Sequence, residues 1–308
     1  MKKCFLILFL ILFSSVFSET FSQTKTAEDY YNEGNFKLDN KQLDSAIVLF
    51  NKAIELKPLF AEAYNNRGFA KSATADKKGA LLDYTKAIEI NNNYASAYNN
   101  RGSLKNEISD FLGAIDDYSK AIELNPNFDK AYTNRGISRY AIRDKKNAIA
   151  DYSKAIKINP DYINAYYNRA VARFELKDNA GAYEDYSKVI LLSPQFAGAY
   201  NNRGLVKHAT SEFRLAMNDF NKAIELNPNY ATAFFNRGLL KYDMGKYEDA
   251  IDDYTKAIDL KPNYATAYNN RALSYYSLNN NTAACTDWKK ALNLGFNKAK
   301  EAIEQFCK

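Results

Sequence analysis

The pattern that decides the fold is clearest in residues 231–264, ATAFFNRGLLKYDMGKYEDAIDDYTKAIDLKPNY. Its arginine belongs to a series spaced 34 residues apart without insertion or deletion: Arg67, Arg101, Arg135, Arg169, Arg203, Arg237 and Arg271. A fixed period of this length is typical of a repeat array, in which each unit buries its apolar surface against its neighbours. We therefore predict eight units over residues 27–298, at 27–60, 61–94, 95–128, 129–162, 163–196, 197–230, 231–264 and 265–298.

Small and aromatic residues recur at fixed places in every unit. Tyr254 lies between Ala250 and Ala257, and the other units repeat this arrangement with few changes. Such spacing forms one stripe of a helix, where backbones approach closely and a ring fills the remaining gap. All six prolines come just before the next unit, where proline suits a turn but cannot continue a helix: Pro58, Pro126, Pro160, Pro194, Pro228 and Pro262. Each unit is therefore predicted to be a helix, a short turn, a second helix and a proline turn.

In unit length, in the aromatic-x-x-x-Gly opening (Tyr64 and Gly68), in the paired alanines and in the closing proline, the units resemble the tetratricopeptide repeat. The resemblance implies an all-α, right-handed superhelical solenoid whose first helices line a concave groove that binds proteins or peptides. The departures are mild. Ala170 and Ala272 replace the glycine, and the arginine stands where the family usually has leucine.

The two ends of the chain differ from the repeats. Residues 1–18 combine Lys2 and Lys3 with a short apolar run and small residues, which predicts a signal peptide cleaved after Ser18 or as late as Ser22. An uncleaved anchor is the alternative. Residues 297–308 carry apolar residues at helical spacing on one side only, which predicts a capping helix with one solvent-exposed face. We therefore expect an exported protein, periplasmic or secreted, without an integral membrane segment once the signal is removed.

Composition excludes several classes of function. The net charge of +6 is mild and spread over every unit, which together with export argues against nucleic acid as a partner. His208 is the only histidine, so a histidine-rich metal site is impossible, and no glycine-rich phosphate loop or Gly-x-Ser-x-Gly sequence occurs. The sequence therefore predicts no catalytic residue, no metal and no cofactor.

Two ladders of residues on the first helices are candidates for ligand binding. An asparagine precedes each arginine position, and the resemblance implies that it grips the backbone of an extended peptide: Asn32, Asn66, Asn100, Asn134, Asn168, Asn202, Asn236 and Asn270. Helical geometry places it away from the second helix, so packing is not expected to need an amide there; the alternative is a capping or inherited residue. A ring recurs in units four to eight, at Tyr140, Phe174, His208, Tyr242 and Tyr276. It belongs either to the groove or to the packing between first helices.

Charged residues also recur with the period of the repeat, and two cysteines lie near the C-terminal end of the chain. Each arginine is followed by an aspartate 16 residues later and, in units two to seven, by a second basic residue after four. We predict a structural ion pair within each unit, with the second cation sharing the aspartate; a basic groove for acidic ligands is the alternative. Export leaves Cys285 and Cys307 as an even pair in an oxidising compartment, which favours a disulfide over two free thiols.

The sequence as a whole favours a non-enzymatic scaffold that binds an extended peptide or an envelope protein in its groove. The alternatives are a carbohydrate- or lipid-handling component of the cell envelope and a structural subunit that self-associates.

Overall fold

A computed structural model describes residues 25–307, and within them the chain is all-helical, built of consecutive helix-turn-helix repeats. The helices are α1 (Ala27–Asp39), α2 (Leu43–Leu56), α3 (Ala61–Ala73), α4 (Lys77–Ile90), α5 (Ala95–Glu107), α6 (Phe111–Leu124), α7 (Asp129–Ala141), α8 (Lys145–Ile158), α9 (Ile163–Glu175), α10 (Asn179–Leu192), α11 (Ala197–Ala209), α12 (Phe213–Leu226), α13 (Ala231–Asp243), α14 (Tyr247–Leu260), α15 (Ala265–Ser277), α16 (Asn281–Asn293) and α17 (Ala299–Phe306). The proposed signal peptide lies outside the described residues. Among the described helices, none has the length and apolarity needed to cross a membrane.

The repeats are grouped into two compact units, each made of several repeats, and the boundary between these units lies after Leu104. The first unit contains α1 to α4 and most of α5, and the second contains α6 to α17. In both, the odd-numbered helices up to α15 are the first helices of the repeats, and the following even-numbered helices are the second.

Close contact between the two helices of a repeat depends on one small residue. In the α7–α8 pair, a Cβ added at Gly136 would lie 2.5 Å from the ring of Tyr152. Tyr152, Ala148 and Ala155 are all buried on α8. The ring therefore fills the space that the missing side chain leaves, which is the packing that the spacing of small and aromatic residues predicts.

Six arginines of the ladder pair with the aspartate of the same repeat, as predicted. Arg135 donates from Nε and Nη2 to the two carboxylate oxygens of Asp151, at 3.0 and 2.7 Å. The same two-point contact joins Arg67 to Asp83, Arg169 to Asp185, Arg203 to Asp219, Arg237 to Asp253 and Arg271 to Asp287. These aspartates are buried, so each needs a fixed cation to offset the loss of hydration.

Each arginine also connects its repeat to the preceding one. Nη1 of Arg135 donates to Oγ of Ser119, which lies on α6, the second helix of the repeat before. Arg169 makes the equivalent contact with Ser153 at 2.9 Å. The arginine therefore contacts the second helices of two successive repeats.

In repeats two to seven, a second cation shares the same aspartate, again as predicted. Its charged group lies 2.6–2.9 Å from the carboxylate, in the pairs Lys71–Asp83, Lys105–Asp117, Arg139–Asp151, Arg173–Asp185, Lys207–Asp219 and Lys241–Asp253. The positive charges of the ladder are therefore held in internal contacts.

The C-terminal end of the second unit is closed by α17. Phe306 packs on Tyr276 and Trp288, with ring centroids 4.5 and 5.9 Å apart. Cys285 on α16 and Cys307 after α17 form a disulfide, with their Cα atoms 5.5 Å apart. The disulfide and the aromatic cluster together fix the last helix against the last repeat.

The turn between the helices of a repeat places one residue in the left-handed region, and only one of these residues is glycine. Gly245 has φ 74°, whereas Lys177 and Ser211 at the equivalent places have φ 65° and 63°. A side chain in this conformation costs about 1–2 kcal/mol because Cβ approaches the following carbonyl oxygen. Most repeats therefore carry a small backbone strain at this turn.

Replacing Lys177 with glycine should relieve that strain and raise the free energy of unfolding by about 1 kcal/mol. The reverse change, Gly245→Ala, should lower it by a similar amount, because an added Cβ there meets nothing within 4 Å and only the backbone conformation is penalised. Urea denaturation of both variants checks the prediction. Equal stability of both variants and the natural chain would contradict it.

Candidate protein-binding face

The first helices of the second unit share one face, which we call the first-helix face. It is formed by α7, α9, α11, α13 and α15 and is defined by an aliphatic row and a ring row. The aliphatic row is Ile137, Val171, Leu205, Leu239 and Leu273, and the ring row is Tyr140, Phe174, His208, Tyr242 and Tyr276. Leu273 and Tyr276 are 36% and 37% exposed, and the others are half-buried. In the first unit, the places equivalent to the aliphatic row hold Asn35, Phe69 and Ser103, of which Phe69 is apolar and exposed.

The asparagine ladder connects successive first helices. Asn236, which is buried, donates from Nδ2 to Oδ1 of Asn201 on the preceding first helix at 2.9 Å. Asn202 donates in the same direction to the hydroxyl of Tyr167 at 3.0 Å. In the first unit, Asn66 donates to Tyr31 and Asn35, and Asn100 donates to Asn65. The expectation that packing needs no amide at this place is therefore wrong for these residues.

The remaining asparagines are placed differently. Asn32 is exposed, Asn134 and Asn168 are half-buried, and Asn270 accepts a hydrogen bond from Asn269 at 3.2 Å. Because several amides of the ladder are already engaged by neighbouring helices, backbone capture by this ladder stays a prediction.

Asn236→Ala should lower the free energy of unfolding by about 1–3 kcal/mol, because it leaves the buried amide oxygen of Asn201 without its donor. The matched control is Asn32→Ala, at the exposed equivalent in the first repeat, where the change should stay within about 0.5 kcal/mol. Chemical denaturation of the two variants checks this prediction. A neutral Asn236→Ala would mean that the contact contributes nothing to stability.

The ring row makes contacts within the fold as well as with solvent. His208 packs edge-on against Phe213, and Tyr242 packs on Tyr247, with centroids 5.7 and 5.3 Å apart. Phe174 packs against the cluster around Tyr186. The rings therefore serve the packing between helices, and all of them except Tyr276 are half-buried.

Two members of the ring row form polar contacts with the next first helix. The hydroxyl of Tyr140 donates to Glu175 at 2.6 Å, and Nε2 of His208 lies 2.8 Å from Oδ2 of Asp243. Burial, followed by the bond to the Glu175 carboxylate, raises the pKa of Tyr140 to about 12. The bonds from Lys145 and Tyr140 lower the pKa of Glu175 below its ordinary value. The Tyr140–Glu175 contact therefore joins a neutral phenol to a carboxylate at neutral pH.

Two acidic side chains on this face are partly exposed and already have partners, Glu175 with Lys145 and Tyr140, and Asp243 with His208. Glu175 and Asp243 have side chains 41% and 43% exposed. The cations on α9, α11 and α13, by contrast, contact the buried aspartates described above. Within residues 25–307, no cluster of histidine, cysteine, aspartate and glutamate side chains is arranged to hold a metal ion.

Family models of the tetratricopeptide repeat match residues 34–73, 61–94, 95–128, 145–177, 163–196, 208–245, 238–279 and 265–294. Together they cover more than half of the chain. The chain belongs to the tetratricopeptide repeat (TPR) family. A comparison with curated proteins finds no match.

Solved structures give the same fold. A TPR protein from Parabacteroides merdae ATCC 43184 is 21% identical over 80% of this chain and 98% of that chain, with a TM-score of 0.59. A chain of the APC/C hetero-tetramer Cut9–Hcn1 is 19% identical over 86% of this chain, with a TM-score of 0.64, and the match spans about half (53%) of that chain. YrrB, described as a TPR protein with an unusual peptide-binding site, is 25% identical over 60% of this chain and 95% of its own, with a TM-score of 0.52.

Sequence reasoning missed the polar contacts between successive first helices. Tyr140 and Glu175 are 35 residues apart, as are His208 and Asp243. That separation is one repeat plus one residue, so a search for polar pairs at this spacing would have found them.

Proposed function

We propose that this TPR protein is a non-enzymatic scaffold that binds an extended segment of another protein on the first-helix face. The observation that carries the proposal is the aliphatic row beside the ring row, on helices whose cations are engaged internally. An apolar, partly exposed row on rigid helices suits recognition of an extended segment through its side chains. The peptide-binding site described for YrrB, which resembles this chain in fold and at 25% identity, supports the proposal.

The charge distribution supports a protein partner over nucleic acid. Phosphate binding needs accessible lysine and arginine side chains. On the first-helix face, Arg173, Lys207 and Lys241 contact buried aspartates, and Lys145 is paired with Glu175. We propose on this basis that nucleic acid is not a ligand of this face.

We further propose that the protein acts outside the cytoplasm. The basic and apolar start of the sequence supports export, and the Cys285–Cys307 disulfide suits an oxidising compartment. Expression of the full chain with fractionation of the cells tests this. Mature protein that lacks residues 1–18 should be found in the exported fraction, and full-length protein retained in the cytoplasm would overturn the proposal.

The function is tested by capturing partners from an envelope extract with the natural chain and with two variants. Leu239→Ser with Leu273→Ser alters the aliphatic row, whereas Leu191→Ser alters an exposed leucine of a second helix, 72% exposed on α10. A partner held by the natural chain and by Leu191→Ser, and lost from the double variant, supports the proposal. A partner that depends on Leu191 alone would contradict it. Thermal denaturation confirms that each variant is folded.

A further inference from the structure

The first repeat exposes an apolar side chain at a place that is buried in every other repeat. Phe36 on α1 is 65% exposed and is the largest side chain of its series. Leu240, at the equivalent place, is buried because it packs on Ala216 and Phe220 of the preceding second helix. Among the described residues no helix precedes α1, so Phe36 has no such site to fill. The seven equivalent residues are at most 2% exposed: Ala70, Leu104, Ser138, Ala172, Val206, Leu240 and Ser274.

The last repeat holds a site of this kind beneath the capping helix. The small and aromatic residues at the corresponding places of α16 are Ala284 and Trp288, and both are buried. Phe306 of α17 packs against them, with its ring centroid 5.9 Å from that of Trp288. A phenylalanine of the cap therefore occupies the place that the first helix of a following repeat would fill.

Charges at the two ends are complementary as well. Between inner repeats, the arginine of one repeat donates from Nη1 to a serine, threonine or asparagine of the preceding second helix, at 2.7–3.3 Å. The first repeat has Glu33 in place of this arginine, and α16 has Lys289 in place of the accepting residue. In a single copy, Glu33 forms only an exposed pair with Lys25, which contributes little. A junction between two copies would join Glu33 to Lys289.

The asparagine ladder provides a third match. Asn236 donates to Oδ1 of Asn201 on the preceding first helix, and the amide of Asn201 donates to its own neighbour. Asn269 in the last repeat is oriented in the same way, since its amide also donates to the next residue, at 3.2 Å. The capping helix α17 contains no asparagine that could donate to it. Asn32 on α1, which is exposed, is the residue that a second copy would supply.

The C-terminal disulfide keeps this site closed. Cys307 directly follows Phe306, and its bond to Cys285 holds α17 on the last repeat. A pocket of about 300 Å³ lies beside the bond and is lined by both cysteines and by Lys289, whose charge attracts a thiolate. A dithiol can reduce the bond by thiol–disulfide exchange. Two thiols then form on this chain, and the dithiol is oxidised to its own disulfide.

We propose that reduction of the C-terminal disulfide by a dithiol opens the cap and lets the last repeat bind the first repeat of a second copy, so that copies join head to tail. Phe36 then takes the place of Phe306, and Glu33 pairs with Lys289. Asp29 stands where the inner repeats have a fully buried alanine, so this junction is weaker than an inner one and reversible. The inference concerns the two ends of the array and goes beyond the function proposed for the first-helix face.

The test mixes two purified full chains, each of which supplies one half of the contact. The first is the natural, oxidised chain, with Phe36 available and the cap closed. The second carries Cys285→Ser, Cys307→Ser and Phe36→Ser, so that its cap is open and its own first repeat cannot bind. Sedimentation velocity should show each chain alone as a monomer and the mixture as a one-to-one complex. The double cysteine variant with Phe36 intact should form longer chains that grow with concentration.

Matched substitutions identify the contact. Phe36→Ser in the first chain should weaken the complex by more than about ten-fold, whereas Val48→Ser, at an exposed apolar residue of the same repeat, should leave it unchanged. Lys289→Glu in the second chain should also weaken it by more than about ten-fold, and Glu33→Lys in the first chain should restore it. Melting temperatures close to those of the parent chains show that the variants are folded.

Each other result would overturn the inference. A complex that survives Phe36→Ser, or that is indifferent to the charge of residue 289, would show non-specific contact of the uncovered apolar surface. Monomers in the mixture would also overturn it, provided that they persist when Phe306→Ser is added to the second chain to remove the competing ring. Capture of a partner through the aliphatic row depends on neither end of the array, so failure of this inference leaves the scaffold function in place.

Discussion

Asp151→Ala should lower the free energy of unfolding by about 3–5 kcal/mol, because it leaves partly buried cations without their counter-charge. The Asp151 carboxylate is 3% exposed and accepts hydrogen bonds from both Arg135 and Arg139. Because a solenoid is stabilised by local and nearest-neighbour contacts, the loss should be confined to the repeats around α7 and α8. Denaturation followed by local hydrogen exchange measures both the size and the extent of the effect.

A double-mutant cycle distinguishes this ion pair from a general packing defect. Arg135→Leu with Asp151→Ala should cost clearly less than the sum of the two single changes. The control is Glu225→Ala, which removes an exposed partner of Lys222 and should cost less than about 1 kcal/mol. Additive losses at Arg135 and Asp151 would show that the contact is not coupled in solution.

Removal of the Cys285–Cys307 disulfide should destabilise the C-terminal cap by about 3 kcal/mol in the chain-entropy description. The two cysteines are 22 residues apart and enclose the turn between α16 and α17. The double variant Cys285→Ser with Cys307→Ser should therefore release α17 first, exposing Phe306 and Trp288. Tryptophan fluorescence reports this directly, since Trp288 is the only tryptophan of the chain.

Reducing agent is the control for that experiment. It should shift the unfolding of the natural chain and leave the double variant unchanged. Two free thiols in the natural chain, found by alkylation of denatured, unreduced protein, would contradict the prediction.

The sequence predicted the repeat fold and the Arg–Asp ladder because both follow from one period and from contacts within a single repeat. Arg135 and Asp151 lie on the two helices of one repeat, so their spacing and the helical geometry are sufficient to predict their contact. Contacts between repeats were harder to predict. The bond from Asn236 to Asn201 depends on how two first helices lie side by side, which a helical wheel for one helix does not contain.

The same limit applies to the candidate face. The sequence showed the ring row but not which of its members form polar contacts, because Tyr140 and His208 contact partners on the next repeat. Lys177 and Ser211 in left-handed turns were also not predicted, since turn residues usually signal this conformation by glycine or asparagine.

The central claim, that an extended segment binds the first-helix face, is tested most directly by site-specific photo-crosslinking. A photoreactive residue at 239 or 273, in the aliphatic row, should crosslink to the captured partner within one short segment of it. The same residue at 191, on the outer side of α10, should give no crosslink. Crosslinks from 191 alone, with none from 239 or 273, would contradict the claim and place the partner on the second helices.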